Sequence, residues 1–360
     1  MNPLDSIQEK VKRDERISTE EARILLESKD LLGLGRIASI RRKAKNGKRA
    51  YFIVNRHINH TNICVNRCRF CAFSRNADAP DAYTMDLSEV LARAEAGAAE
   101  GASEFHIVGG LHPDLPFDYY LKLLSGLRDR FPKIHIQAFT AVEIDYFTKL
   151  TGRPLPEILR NLKEAGLGSL PGGGAEIFDP AVRNAICPEK ISGDRWLEVM
   201  EAAHNTGLKS NATMLYGHLE DTASRIDHMA RLRNLQDRTG GFQAFIPLAF
   251  HPGNTAIPDR EITTGMEDLK LLAVSRIFLD NFDHIKAFWI MLGEKIAQVS
   301  LHFGVDDLDG TVEEEKITHA AGAQTSEALS KEMLVRMIRE AGFEPVERDT
   351  LYRVSETNGR

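Results

Sequence analysis

From Ala50 onward, short apolar segments alternate with amphipathic ones at intervals of roughly 30 to 35 residues, the rhythm of strand-helix units that assemble a parallel sheet. The pattern predicts strands over 51–55, 57–62, 104–108, 134–139, 168–170, 209–215, 242–247 and 284–290. Between them it predicts helices over 86–99, 117–130, 155–165, 194–205, 222–238 and 266–281. Such a repeat points to an α/β fold, a partial or complete (β/α) barrel rather than an open sheet. Barrels of this kind carry their reactive groups at the C-terminal ends of strands and in the loops that follow. Glycine, His and Glu recur at those places: Gly109-Gly110-Leu111-His112-Pro113, Thr140-Ala141-Val142-Glu143, the loop from Pro171 to Glu176, Tyr216-Gly217-His218-Leu219-Glu220 and His251-Pro252-Gly253-Asn254. Residues 1–49 read as an N-terminal extension, 50–302 as the barrel core and 303–360 as a C-terminal extension packed on it, with no linker between separate units.

Ahead of the repeat, Ser18-Thr19-Glu20-Glu21 has the form of a capping box that opens a first helix, which Gly33 and Gly35 are expected to end. Gly33-Leu34-Gly35-Arg36-Ile37-Ala38 mimics a dinucleotide fingerprint but follows a helix instead of a strand, so the geometry that cradles a pyrophosphate is missing. The basic run from Arg41 to Arg49, with its Asn46-Gly47, reads as a solvated turn between strands. With 46 basic and 52 acidic residues the net charge is -6, which gives no reason to expect a nucleic-acid partner. No apolar run approaches the ~18 to 20 residues of a bilayer span, and the first sixteen residues lack an apolar signal core. The expectation is a cytoplasmic protein without a membrane partner.

Three of the four cysteines, Cys64, Cys68 and Cys71, fall within eight residues immediately after a predicted strand, while Cys187 stands apart and reads as an ordinary thiol. A disulfide framework needs paired, dispersed cysteines, so the cluster reads as a metal or iron-sulfur site. Three soft thiolates can hold three irons of a [4Fe-4S] cluster and leave the fourth open. A closed zinc site would need a fourth ligand from His57, His60 or Cys187.

The Cys-x3-Cys-x-aromatic-Cys loop, with Phe70 as the aromatic, resembles that of the radical S-adenosylmethionine superfamily. The resemblance implies a barrel of that type, a [4Fe-4S] cluster, and S-adenosylmethionine bound at the open iron. By the same likeness Phe70, Gly109, Gly110, Glu143, Glu176, Thr213, Leu215 and Glu220 are the cofactor-binding candidates. Gly109-Gly110 matches a glycine pair that receives the methionine amine, although Leu111 stands where a Glu usually follows. Thr213-x-Leu215-x-Gly217-x-x-Glu220 resembles the adenine-side motif, with Thr213 in place of its first glycine. Glu143 and Glu176 sit where a ribose contact is placed, and each also fits a helix N-terminal carboxylate.

A closer resemblance, carried by His60-Thr61-Asn62-Ile63-Cys64, Phe73-Ser74-Arg75, the segment from His106 to Pro113, Phe139 to Ile144, Leu170 to Glu176 and Gly241 to Phe250, covers nearly the whole chain and is to the aminofutalosine synthase family of menaquinone biosynthesis. Related cyclic dehypoxanthine futalosine cyclases and deazaflavin-chromophore synthases share the cysteine loop, Asp309-Gly310-Thr311 and the stretch from His319 to Ala323. The family implies a transferase that adds the 5'-deoxyadenosyl radical to 3-[(1-carboxyvinyl)oxy]benzoate, with aryl migration and loss of a carboxyl group. S-Adenosylmethionine is then a consumed co-substrate, and a flavodoxin or ferredoxin-type electron donor is implied. A dianionic substrate needs donors around it. His60, Arg75, His112, His218 and His251 are the candidates, each of which also fits a turn or loop bond. Asn211 and Gln243 lie on strands of unfixed register, and Trp196 and Trp289 read as core. The remaining readings are the cyclase, which would release 5'-deoxyadenosine, and a zinc-stabilised scaffold.

Overall fold

The computed structural model describes residues 3–257 and 259–354. Three helices, α1 (Pro3–Lys12), α2 (Thr19–Glu27) and α3 (Leu31–Asn46), precede two consecutive strands, β1 (Arg49–Ile53) and β2 (Asn55–Ile58). Then follow α4 (Leu87–Ala99), β3 (Glu104–Ile107), α5 (Phe117–Arg130), β4 (His135–Ala138), α6 (Ala141–Thr151), α7 (Leu155–Ala165) and β5 (Ser169–Leu170). The second half runs through α8 (Pro180–Ile186), α9 (Gly193–Asn205), β6 (Lys209–Tyr216), α10 (Thr222–Thr239), β7 (Phe242–Ala249), α11 (Gly265–Phe278) and β8 (His284–Ile285). The last elements are α12 (Trp289–Leu292), α13 (Glu294–Ser300), β9 (Asp307–Gly310), α14 (Ile317–Ala320), α15 (Lys331–Glu340) and β10 (Glu344–Glu347).

Strands β2 to β8 form one all-parallel sheet in sequential order, curled into a half-barrel with helices outside. Strand β1 lies elsewhere, in a second parallel sheet of order β10-β1-β9. The two sheets meet where the half-barrel is open. Ala287 N–H donates to the Asp307 carbonyl at 2.8 Å on the β8 side, and His57 N–H donates to the Glu313 carbonyl at 3.0 Å on the β2 side. The stretch around β9 thus lies between the first and last strands of the half-barrel. Because β8 meets β9 so early, the strand expected over 284–290 stops after two residues, and the chain turns into the short helix α12.

The capping box forms: Glu21 N–H donates to Ser18 Oγ at 3.1 Å, and Ser18 N–H to Glu21 Oε2 at 2.8 Å. Gly33 and Gly35 do not end that helix. They lie inside α3, which Asp30 caps through the Gly33 N–H at 2.8 Å. Gly35 serves packing, since a Cβ there would come within 2.9 Å of the Phe303 ring. Nor is the basic run a solvated turn. Arg41 and Arg42 are buried on the last turns of α3, and Gly47, at φ 59°, ends the helix. Arg42 donates to the carbonyls of Val305, Gly47 and Arg49 at 2.8, 2.9 and 2.7 Å, so its guanidinium ties α3 both to the start of β1 and to the residues just before β9. Trp196 and Trp289 are fully buried, their indole N–H groups donating to Gly173 and Gly310 carbonyls.

Beside β8, the Arg276 guanidinium is wholly enclosed and pairs with Asp306, whose other carboxylate oxygen lies 2.6 Å from His284 Nδ1. Arg276 also donates to the Gly304, Phe282 and Asp283 carbonyls. Arg276→Met should lower unfolding stability by about 3–5 kcal/mol, because Asp306 is left as a buried, poorly compensated charge. Equilibrium denaturation checks this, and a cost below about 1 kcal/mol, the range of an exposed pair, would contradict it.

Candidate active site

The cysteine loop leaves β2 and is pinned before it reaches the thiols. Thr61 Oγ1 donates to the Tyr83 carbonyl at 2.8 Å, Arg75 N–H to the Asn62 carbonyl at 2.8 Å and Cys64 N–H to the Arg75 carbonyl at 3.1 Å. The loop after β3 is tied to it from beneath, with Gly110 N–H donating to the Thr61 carbonyl and Val65 N–H to the Leu111 carbonyl, both at 3.0 Å. This contact requires glycine, because a Cβ on Gly110 would sit 2.1 Å from the Ile63 carbonyl oxygen. Cys71 N–H donates to the Cys68 carbonyl at 3.0 Å, closing the turn that sets the last two thiols.

All three thiols line one cavity of about 330 Å³ inside the half-barrel. Burial pushes the Cys64 thiol up and that of Cys68 to about 12, so these side chains need a soft metal to take a thiolate charge here. Among the described residues no three His, Cys, Asp or Glu side chains converge on a single ion. A [4Fe-4S] cluster presents a separate iron to each thiolate, so three thiols facing one space, without closing on one point, suit it. The fourth ligand that a closed zinc site needs is not at hand: neither His60 nor Cys187 lines the cavity, and His57 is stacked on His106 at its floor. The cysteine trio therefore fits an iron-sulfur cluster.

Phe70, Gly109, Gly110, Glu143, Glu176, Thr213 and Leu215 line the same cavity. Glu143 belongs to the capping box of α6, and both of its oxygens are engaged. Oε1 accepts from Gly109 N–H at 3.2 Å, and Oε2 accepts from Thr140 N–H and Oγ1 at 2.7 and 2.8 Å. Burial still lifts its carboxyl to about 7, against these three donors. Glu176, at a left-handed φ of 49°, pairs with Lys190 at 2.7 Å; burial raises its carboxyl, and Lys190 outweighs that to hold it below the usual range. Thr213 Oγ1 donates to the Gly172 carbonyl at 2.8 Å, joining β6 to the glycine loop after β5.

Five expected site residues, Glu220, His60, His112, Arg75 and His218, lie outside the cavity wall. Glu220 accepts from the Gly217 and His218 N–H groups and pairs with Arg225, organising the turn after β6. His60 is fully buried beneath Gly109 among Tyr119, Tyr120 and Phe139, with neither ring nitrogen hydrogen-bonded among the described residues. His112 accepts from Asp114 N–H at 3.1 Å, a turn bond. Arg75 turns to Asp81 at 2.7 Å and to the Ala72 and Ser74 carbonyls. His218 is likewise closed on the Leu215 carbonyl and Leu219 N–H. Of the histidine candidates His251 alone lines the cavity, its Nε2 2.9 Å from the Met291 carbonyl.

The polar groups that do face inward are deeper. His57, His106 and Gln137 stand in register on β2, β3 and β4, joined by Glu104, Asn211, Lys286 and Asp309. Polar side chains two residues apart in strands of an otherwise apolar sheet, Asn55 and His57 or Glu104 and His106, were the available signal. Gln243 points away, donating to the Thr350 carbonyl at 2.6 Å.

The family model described as "Radical SAM superfamily" matches residues 58–233, and that described as "CofH/MqnC C-terminal region" matches 239–359. The chain is 48% identical to aminodeoxyfutalosine synthase of Thermus thermophilus over 97% of its length and 95% of the relative's. It is 45% identical to the enzyme of that name from Streptomyces coelicolor, over 97% and 93%. It is also 46% identical to 5-amino-6-(D-ribitylamino)uracil--L-tyrosine 4-hydroxyphenyl transferase of Methanopyrus kandleri, over 85% and 84%. The FeFe-hydrogenase maturase HydG of Carboxydothermus hydrogenoformans shares the fold with a TM-score of 0.74 over 97% of this chain and 80% of its own, at 20% identity. Methylornithine synthase (PylB) does so with 0.74 over 94% and 97%, at 17% identity. The chain belongs to the radical SAM superfamily, in the family that holds the aminodeoxyfutalosine synthases and these tyrosine hydroxyphenyl transferases. It is a group-transferring enzyme that uses a [4Fe-4S] cluster and S-adenosylmethionine. No described helix is long and apolar enough to cross a membrane.

Replacing Cys64, Cys68 or Cys71 by Ala should abolish iron loading and turnover, while Cys187→Ala should keep both. Iron and sulfide assays on anaerobically reconstituted protein check this, and full loading of any of the three variants would contradict it. Glu143 predicts a pH dependence. Its folded pKa is raised, so between about 4.5 and 7 the unfolded chain releases a proton that the folded one keeps, and stability falls as pH rises. Glu143→Gln should lack that component, which denaturant unfolding at pH 5 and pH 7.5 measures; equal slopes in both proteins would refute it.

Proposed function

We propose that the enzyme is an aminodeoxyfutalosine synthase that joins the 5'-deoxyadenosyl group of S-adenosylmethionine to 3-[(1-carboxyvinyl)oxy]benzoate, with aryl migration and loss of one carboxyl group. The observation that carries this reading is the 48% identity to the Thermus thermophilus synthase over 97% of the chain. When bound at Cys64, Cys68 and Cys71, the cluster supplies the electron that cleaves the sulfonium, and the electron comes from a flavodoxin or ferredoxin-type donor.

The chain's own residues supply shape and exclusion of water. Gly109 and Gly110 offer backbone at the cysteine side, where the methionine end would lie, and Glu143 holds Gly109 in place through its N–H. Glu176 and Thr213 face the space for the nucleoside. Val108, Leu215, Ile246, Leu248, Phe250 and Phe288 line the same cavity, and to these apolar side chains we assign the slot for the benzene ring. That slot keeps a second reading in view: the Methanopyrus kandleri relative is named for transfer of a hydroxyphenyl group, and one aryl slot would serve either substrate.

Reconstituted enzyme given reductant, S-adenosylmethionine and 3-[(1-carboxyvinyl)oxy]benzoate should yield an adenine-containing adduct one carboxyl group short, seen by mass spectrometry. The same mixture with L-tyrosine and 5-amino-6-(D-ribitylamino)uracil should give no adduct. The reverse pattern would assign the transferase reaction, and 5'-deoxyadenosine alone would point to a hydrogen-abstracting relative such as the cyclase.

A further inference from the structure

Among the described residues, two cations line the cavity, Lys190 and Lys286. Lys190 is engaged on the cysteine side, 2.7 Å from Glu176 and 5.0 Å from the centre of the Phe70 ring. Lys286 is at the floor, its side chain 7% exposed. An ammonium has three N–H donors, and one of these meets Asp309 Oδ1 at 2.9 Å, its single hydrogen bond among the described residues. Asp309 has a left-handed backbone, φ 66°, and its N–H donates to Asp307 Oδ1 at 2.6 Å. Strain of this kind persists only where surrounding contacts impose it. Around Lys286 further donors stand idle: neither ring nitrogen of His57 has a hydrogen bond among the described residues. The His57 ring stacks on His106 with centroids 4.4 Å apart, and Asn211 Nδ2 reaches Gln137 only at 3.5 Å.

We propose that Lys286, positioned by Asp309 and sharing its cavity wall with His57, His106 and Asn211, binds the carboxylate on the aromatic ring of the substrate. This deepens the synthase reading and rests on it. The two carboxylates of that substrate have different places. The one on the enol ether travels with the reacting bond and must lie near the cysteine side. The ring carboxylate, at the other end of the apolar slot, needs a cation of its own, since an unpaired buried carboxylate is strongly disfavoured. Lys286 is the cation that remains. The anions near it are Asp309, Glu104, which lies 3.8 Å from His106 Nδ1, and Asp307, which Arg348 and Tyr352 hold, so an incoming carboxylate competes with Asp309 for the ammonium. That competition gives the two members of the pair opposite signs in a binding experiment.

The test uses the reconstituted holoenzyme and titration calorimetry with 3-hydroxybenzoate and its uncharged counterpart 3-hydroxybenzamide. Wild type should prefer the benzoate. Lys286→Met should weaken benzoate binding roughly ten- to hundredfold and leave the benzamide unchanged. Asp309→Asn, which keeps a residue tolerant of the left-handed backbone, should bind benzoate more tightly. If Lys286→Met does not fold, the double variant with Asp309→Asn removes both charges together and should show the same loss of preference. Equal weakening of both probes by loss of Lys286, or no preference in wild type, would overturn the proposal. Should the preference hold while no adenine adduct forms in the product assay, the carboxylate site stands and the synthase reading falls. If the adduct forms and Lys286→Met keeps the benzoate preference, the reading stands and the site falls.

Discussion

Three carboxylates enter the protein interior on one short stretch, Asp306, Asp307 and Asp309, and each is met there by a cation: Arg276, Arg348 and Lys286. A charge taken out of water without a partner destabilises by several kcal/mol, so this stretch has one workable position. It lies where the half-barrel is open, with Asp306 anchored to α11, Asp307 to the residue that follows β10 and Asp309 to the residue after β8. A shift of β9 by one residue would turn its side chains to the opposite face and break all three pairs. The buried charges are weak as a source of net stability and strong as a constraint on register.

From that register the rest of the cavity follows. With β9 seated, Gly310 accepts the indole N–H of Trp289, Thr311 N–H donates to the Ile53 carbonyl and Lys286 faces inward. The opposite wall is set by backbone contact between the loops after β2 and β3, where Gly110 lies against Ile63. One side is therefore rigid because glycine permits close approach, and the other because ion pairs forbid slippage. The thiols lie on the first and the polar floor ends at the second.

The half-barrel was legible because strands buried on both faces read as apolar runs, and the helices between them show a clear period. Helices α5 and α7 have the bounds their periodicity predicts. The polar ends of Thr140 to Glu143 suggest a loop, yet that polarity is the cap of α6. The burial of Arg41 and Arg42 cannot be read from local pattern, because the acceptors that let Arg42 be buried include Val305, far along the chain. The cysteines were legible because soft donors at close spacing carry their chemistry with them. The histidines were not. His60 and His112 stand at strand ends where register decides between cavity and packing, while His57, expected only as a possible zinc ligand, and His106 lie deeper on strands of four residues, where two-residue alternation is easily lost.

The placement of β1 bears on how the chain comes to be folded. Its two neighbours, β9 and β10, lie roughly 250 to 300 residues further along, whereas the strands of the half-barrel, β2 to β8, pair with neighbours within about 50 residues. During synthesis β1 must wait with both edges unpaired until nearly the whole polypeptide has emerged, an interval of some tens of seconds at usual ribosomal speeds. Helix α3, docked beside it through Arg42, and the solvated Arg49 at its start give that waiting strand a basic border, a feature known to discourage edge-to-edge association. The closing of the cavity is thus also the last event in the making of the protein, so that a nascent chain stopped short of β9 would expose a thiol-bearing loop with no wall in front of it.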